Sequence, residues 1–244
     1  MLLLLTLLAL GCGGERKEQP PPPVAATKPG DAPGSISYQV KFEGMPPKMP
    51  VVKMQADKKC MVLHTEQVQF ESIITNTEGR LKNVFIYVKE GLAGKSFPPP
   101  TKPVDLDQQG CMYTPHVLGI QVGQSLRILN NDPILHNIHS LAKLNKSFNF
   151  AQPKKGMKTE TSFTHPEVMV RVKCDVHSWM SSYVGVVAHP FYGVSNETGA
   201  GELTGLPPGE YVVAAWHEEL GTLEQNIKVS SGARAELSFT FKAE

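Results

Sequence analysis

The chain has 244 residues, 41% of them hydrophobic, and a formal net charge of +1. That length suits one large or two small domains. The balanced charge excludes a global field of the kind that draws nucleic acid or a membrane surface. Beyond the N-terminus no apolar run is long enough to span a bilayer.

Met1 to Leu10 is almost pure leucine and is followed by Gly11-Cys12-Gly13-Gly14. The run is too short for a transmembrane helix and reads as the apolar region of an export signal. A small residue just before a cysteine resembles a bacterial lipoprotein cleavage site, in which Cys12 becomes the lipidated first residue. Two features depart from that pattern: no Lys or Arg precedes the run, and Ala9 stands three before the cysteine in place of the usual leucine. The expectation is a signal over residues 1–12, secretion across the inner membrane, and a periplasmic protein that meets the membrane only through a lipid anchor. Plain secretion is the alternative. Residues 13–34, with Pro20-Pro-Pro-Pro23, Pro29-Gly30 and Pro33-Gly34, cannot bury a core and form a semi-extended linker.

From Ser35 the hydrophobic period is two. Ile36, Tyr38, Val40 and Phe42 alternate with polar residues, which predicts a half-buried strand. Val84 to Val88 is a second apolar run, and Gly119 to Gly123 leads into a turn. Leu126, Ile128 and Asn130 share one face of a strand, and Val168, Val170, Val172 and Cys174 share a face of another. Tyr183 to Ala188 reads as a further buried strand. Gly199 to Gly209 is rich in turns, Tyr211 to His217 is a strand, and Ile227, Val229, Leu237, Phe239 and Phe241 supply two more. No long segment has helical periodicity with caps. The pattern predicts an all-β sandwich.

The chemistry concentrates in Cys174-Asp-Val-His177-Ser-Trp-Met180 and in the upstream stretch from Asn130 through His136 and Asn137. One thiolate, two imidazoles and one thioether are the donor set of a mononuclear blue-copper site, a trigonal His2Cys plane with a weak axial Met. Alternation puts Cys174 on the valine face, so its sulfur points into the sandwich end. A binuclear centre would need a second cysteine in the loop, a multicopper oxidase would need paired His-x-His motifs, and Met is a poor zinc ligand. No Ser-His-Asp arrangement, phosphate loop or H-E-x-x-H helix is visible. With all four donors on copper no position stays open for a substrate, so electron transfer is expected in place of catalysis.

With Cys12 lipidated and Cys174 on a metal, Cys60 and Cys111 remain. In an oxidising compartment such a pair forms a disulfide, and closing a loop of about fifty residues stabilises by roughly 3–4 kcal/mol. The competing reading is a second metal site using His64 and His116. Five lysines between Lys143 and Lys158, with Phe148 and Phe150 interleaved, read either as a solvated loop or as a docking patch for an acidic partner.

Val122-Gly123 through Asn130-Asn131-Asp132 and then His136-Asn137 resembles the strand that leads to the first histidine ligand in cupredoxins. Cys174-x2-His177-x2-Met180 is similar to the short ligand loop of the amicyanin type. The resemblance implies a cupredoxin-like Greek-key sandwich over residues 35–190, with its core at 83–188. It implies copper held by His136, Cys174 and His177 with Met180 axial, and His136 is preferred over His139 because Asn137 matches the family pattern. Asn131, Asn137 and His139 are then candidates for hydrogen bonds around the ligands. Gly205-Leu-Pro-Pro-Gly209-Glu-Tyr211 and Ala215-Trp216-His217-Glu218 resemble a carboxypeptidase-regulatory-like β-domain, expected over 191–244 either as a unit of its own or completed by the strand at 35–43. The implied function is periplasmic one-electron transfer with a redox partner such as a c-type cytochrome, and no nucleic acid. Copper trafficking or sensing is one alternative. Another is a non-metal binding module that uses exposed aromatics such as Tyr192 and Trp216.

Overall fold

The computed structural model describes residues 31–242, so the expected signal, Cys12 and most of the linker lie outside the described residues. No helix among the described residues is long and apolar enough to cross a membrane. The described residues are all-β apart from a single short 3-10 turn and one short helix, α1 (Lys58–Met61).

Alternating side chains sort the strands into two sandwiches. In the first, a five-stranded sheet runs β5 (Val117–Gln121), β11 (Ser181–Val187), β10 (Glu167–Lys173), β7 (His136–Ser140) and β8 (Asn149–Gln152). It faces a four-stranded sheet of β4 (Met112–Thr114), β3 (Val104–Gln109), β6 (Leu126–Asn130) and β9 (Lys158–Thr161). Leu106, Ile120, Ile128, Ile138, Val172 and Val184 fill the space between them. The second sandwich packs β13 (Ala200–Leu206), β1 (Gly34–Glu43) and β16 (Arg234–Lys242) on a sheet of β12 (Tyr192–Val194), β2 (Phe85–Glu90), β14 (Gly209–His217) and β15 (Gly221–Val229). Its core holds Ile36, Val40, Phe42, Ile86, Val213 and Phe239. Strand β1 is its middle strand on one side, antiparallel to β13 and parallel to β16.

Three sequence expectations need correction. The run at 84–88, assigned to the region of the metal loops, pairs instead with β12 and β14 in the second sandwich. Its residues are buried on both faces, Ile86 and Val88 in the second core and Phe85 in the junction between sandwiches. Such a run carries no alternation to announce its partner. Val168 does not share the buried face of β10, because the register shifts between Glu167 and Val170 and turns Val168 outward. The bulge turns Glu167 inward, where its carboxylate accepts the backbone N–H groups of Lys143, Leu144 and Asn145. Tyr192 and Trp216 are not free surface aromatics. Trp216 lies 5.1 Å from the ring of Tyr183, and Tyr192 lies 5.9 Å from that of Phe85, all at the junction.

That junction depends on bare backbone. Gly119 and Gly185 stand opposite each other on β5 and β11, and the Phe85 ring rests against both. Across the same seam His116 hydrogen-bonds Glu218. A Cβ on Gly185 would fall 2.4 Å from Phe85 Cζ. Gly185→Ala is therefore expected to lower stability by about 1–3 kcal/mol through overpacking. Urea unfolding with an unchanged far-UV spectrum checks this, and an unshifted midpoint would mean that the ring does not rest there.

Candidate metal centre

Two short loops at one end of the first sandwich build the site. The loop between β6 and β7 is closed by Asn130, which is fully buried. Its Nδ2 donates to the carbonyls of Ile134 (2.9 Å) and Gln152 (2.7 Å), and its Oδ1 accepts from Asp132 N (2.9 Å). This fixes where β7 starts and so where His136 points. The loop between β10 and β11 closes on itself: Cys174 N donates to Met180 O (3.2 Å) and Met180 N to His177 O (3.0 Å). His177 N points at Cys174 Sγ (3.4 Å), which holds the sulfur toward the middle of the loop.

The side chains converge. His136 Nδ1 and His177 Nδ1 are 3.0 Å apart, and Cys174 Sγ is 3.8 Å from the latter. All three are buried, with donor atoms within 4.8 Å of one another. Met180 is fully buried in the same core as Cys174.

Each imidazole is gripped from behind. His136 Nε2 meets Asp132 Oδ2 at 2.9 Å, and His177 Nε2 meets Asp57 Oδ2 at 3.3 Å. Both carboxylates are themselves held. Asp132 accepts the N–H groups of Gly110 (2.8 Å) and Cys111 (2.7 Å), while Asp57 caps α1 by accepting from Lys59 N (2.8 Å). Hydrogen bonds to a carboxylate on the far nitrogen fix both the ring orientation and the tautomer of a histidine. With each Nε2 donating to its carboxylate, the two Nδ1 lone pairs face each other beside the thiol sulfur. Two lone pairs at that distance need a positive charge between them, either a proton or a metal ion. A thiolate with two imidazoles suits a soft or borderline ion such as copper.

The electrostatics follow. Burial alone would raise the Cys174 pKa, but hydrogen bonds from His136, His177 and the backbone bring it down to about 6. Burial would lower the His136 pKa, but Asp132 and Cys174 push it up to about 9. Asp132 is held below the usual carboxylate range, since the His136 and backbone bonds outweigh its desolvation. The His177 hydrogen bond likewise lowers Asp57.

The remaining expected residues are placed as follows. Asn137 spans the ligand loop: its Oδ1 accepts from Asp175 N (2.7 Å) and from Cys174 Sγ (3.3 Å). His139 faces the other way and pairs with Asp175 at 3.1 Å. Asn131 does not bond across the ligand loop. Its Nδ2 donates to Asp107 Oδ2 at 2.6 Å, because successive strand residues point to opposite faces and the inward one is Asn130. Cys60 and Cys111 form a disulfide. The alternative of a metal held with His64 and His116 falls, since His64 Nε2 bonds the Gly110 carbonyl at 2.6 Å and His116 is engaged with Glu218. Trp179 anchors the ligand loop to the disulfide turn, its Nε1 donating to Cys111 O at 3.0 Å. Sequence reasoning missed Asp57, Asn130 and Asp132. Asp132 has a local signal, four residues before His136, whereas Asp57 is marked only by its place three before Cys60.

No family model matches the chain, and no curated protein does. Solved structures resemble parts of it. A purple cupredoxin from Nitrosopumilus maritimus is 25% identical over 34% of this chain and 97% of its own, with a TM-score of 0.30. A copper-containing nitrite reductase from Thermus scotoductus SA-01 is 22% identical over 40% of this chain and 25% of its own, at 0.31. A variant of amicyanin in the Cu(I) state is 22% identical over 34% of this chain and 81% of its own, also at 0.31. At these TM-scores the likeness adds nothing to what the donor geometry itself says.

Between the ordinary values of 6.5 for histidine and 9.0 for cysteine, the folded pair keeps its proton on His136 and the unfolded pair keeps it on Cys174. The proton count is then the same in both states, so stability is expected to be flat across that window. The thiolate reports the shift instead. In protein stripped of metal, its ultraviolet absorbance should appear with a midpoint near pH 6. His136→Gln should move that midpoint upward, and an unmoved midpoint would mean that His136 does not stabilise the thiolate.

Proposed function

We propose that the chain is a copper protein of the periplasm that carries single electrons, with His136, Cys174 and His177 around the ion and Met180 as the fourth donor. The supporting observation is the pair of inward-facing Nδ1 atoms beside a buried thiol, each imidazole locked by a carboxylate. Bound copper would supply a Cu(I)/Cu(II) couple. The chain's own residues hold the donors in place before and after electron transfer: Asp132 and Asp57 orient the rings, the backbone N–H of Asn137 hydrogen-bonds the thiolate sulfur, and the core around Cys174 and Met180 excludes water. Rings that need not move keep reorganisation small.

On this reading the first sandwich is the cupredoxin-like unit, and the second is a carboxypeptidase-regulatory-like β-domain completed by β1 and β2. Cys12 would carry the lipid anchor. The exposed lysines of residues 143–158 would meet an acidic redox partner such as a c-type cytochrome. Phe148 and Phe150 lean on the core, stacked 5.0 Å apart, so the lysines make up the charged surface of that segment.

Copper added to the purified protein under oxidising conditions should give an intense visible thiolate-to-copper band that is absent in Cys174→Ser. A colourless wild-type protein would sink the assignment. Asp132→Asn should weaken copper binding about 10–100-fold, the usual effect of removing a residue that orients a ligand. Competition against a chelator of known affinity measures it, and an unchanged affinity would show that the carboxylate does not orient the ring.

A further inference from the structure

The Cys60–Cys111 disulfide lies directly behind the two histidines. Both sulfurs and a ring nitrogen of His177 sit within 4.8 Å of one another, and the Cys111 sulfur also groups with Asp132 and His136 at that range. Both half-cystines are completely buried. Each is tied to one of the gripping carboxylates: Cys111 N donates to Asp132, which holds His136, and Cys60 follows the Asp57 cap that holds His177. The bond therefore joins the two segments that orient the two rings.

A disulfide sulfur is neutral and a poor donor, whereas each thiolate released from it is a soft anionic one. We propose that opening this disulfide creates a second metal site, in which the Cys60 and Cys111 thiolates together with His177 hold Cu(I). The first centre offers one thiolate; the reduced protein gathers three around the same pair of imidazoles. Thiolate donors select Cu(I), so reduction would change the protein from a carrier of electrons to a holder of reduced copper. A dithiol reductant supplies the two electrons and two protons. One of its thiolates attacks a cystine sulfur to give a mixed disulfide, and the other then displaces the protein thiol. Cu(I) afterwards displaces the thiol protons with no change in its oxidation state.

The thiol site does not use Cys174, so it rests on the electron-transfer reading only for the first ion. Its test uses the full chain carrying Cys174→Ser, with Cu(I) titrated against a chromophoric Cu(I) chelator before and after phosphine treatment. The phosphine takes oxygen from water and leaves two protein thiols, which are counted before copper is added. The expected result is one equivalent of Cu(I) per chain more after reduction than before it, with both thiols then protected from alkylation. Adding Cys60→Ser and Cys111→Ser, with a native far-UV spectrum as the control for folding, should abolish the gain. The inference is overturned if the reduced variant binds no more Cu(I) than the oxidised one, if the triple variant binds as much, or if the disulfide resists the phosphine. The visible band of the oxidised wild type needs no reduction, so the two proposals fail separately.

Discussion

Two imidazoles cannot be buried with their lone pairs 3.0 Å apart unless something holds them there and something positive lies between them. The holding is done by Asp132 and Asp57, and much of the local architecture exists to place those two carboxylates. Asp132 must reach the turn between β3 and β4, where it accepts two backbone N–H groups, and also His136. Asp57 must begin a helix while facing His177. An unsatisfied buried nitrogen would cost about 1–3 kcal/mol, so the loops bearing the carboxylates are as constrained as the loops bearing the donors.

The disulfide makes that constraint mutual. Segment 54–61 would otherwise be a surface excursion, with only Met54 and Cys60 buried within it. Joined to Cys111, it becomes a wall behind the two histidines, and Trp179 closes the wall from the loop between β10 and β11. His177 is left at 1% exposure, so neither of its ring nitrogens is open to solvent.

Much of the β architecture was legible because period-two alternation reports which face is wet. Ile36, Tyr38, Val40 and Phe42 are all buried in the structure, as their spacing requires. Cys174 and His177 could be picked out by their spacing with Met180, and His136 is preferred over His139 only through the resemblance that Asn137 completes. The illegible features share one cause, which is that they depend on a partner distant in sequence. Val84 to Val88 is apolar on both faces, so nothing in it says which sandwich it joins. Val168 needed a bulge that only pairing with β11 produces. Asp57 looks like an ordinary helix cap until the chain brings His177 to it from 120 residues away. Asn130 and Asn131 are identical side chains, and only the pleat decides which of them closes the loop.

The parallel pairing of β1 with β16 sets Ser35 opposite Arg234 and Phe42 opposite Phe241. Strand β1 therefore waits for β16, far later in the chain. Nearly the whole first sandwich is spliced into the second between β2 and β12, and its strands meet over far shorter stretches of chain. Contacts close in sequence form sooner than distant ones, so during synthesis the first sandwich can assemble while β1 is still an unpaired edge. Any chain cut short before Arg234 would display that edge permanently, with its alternating apolar face open to another molecule.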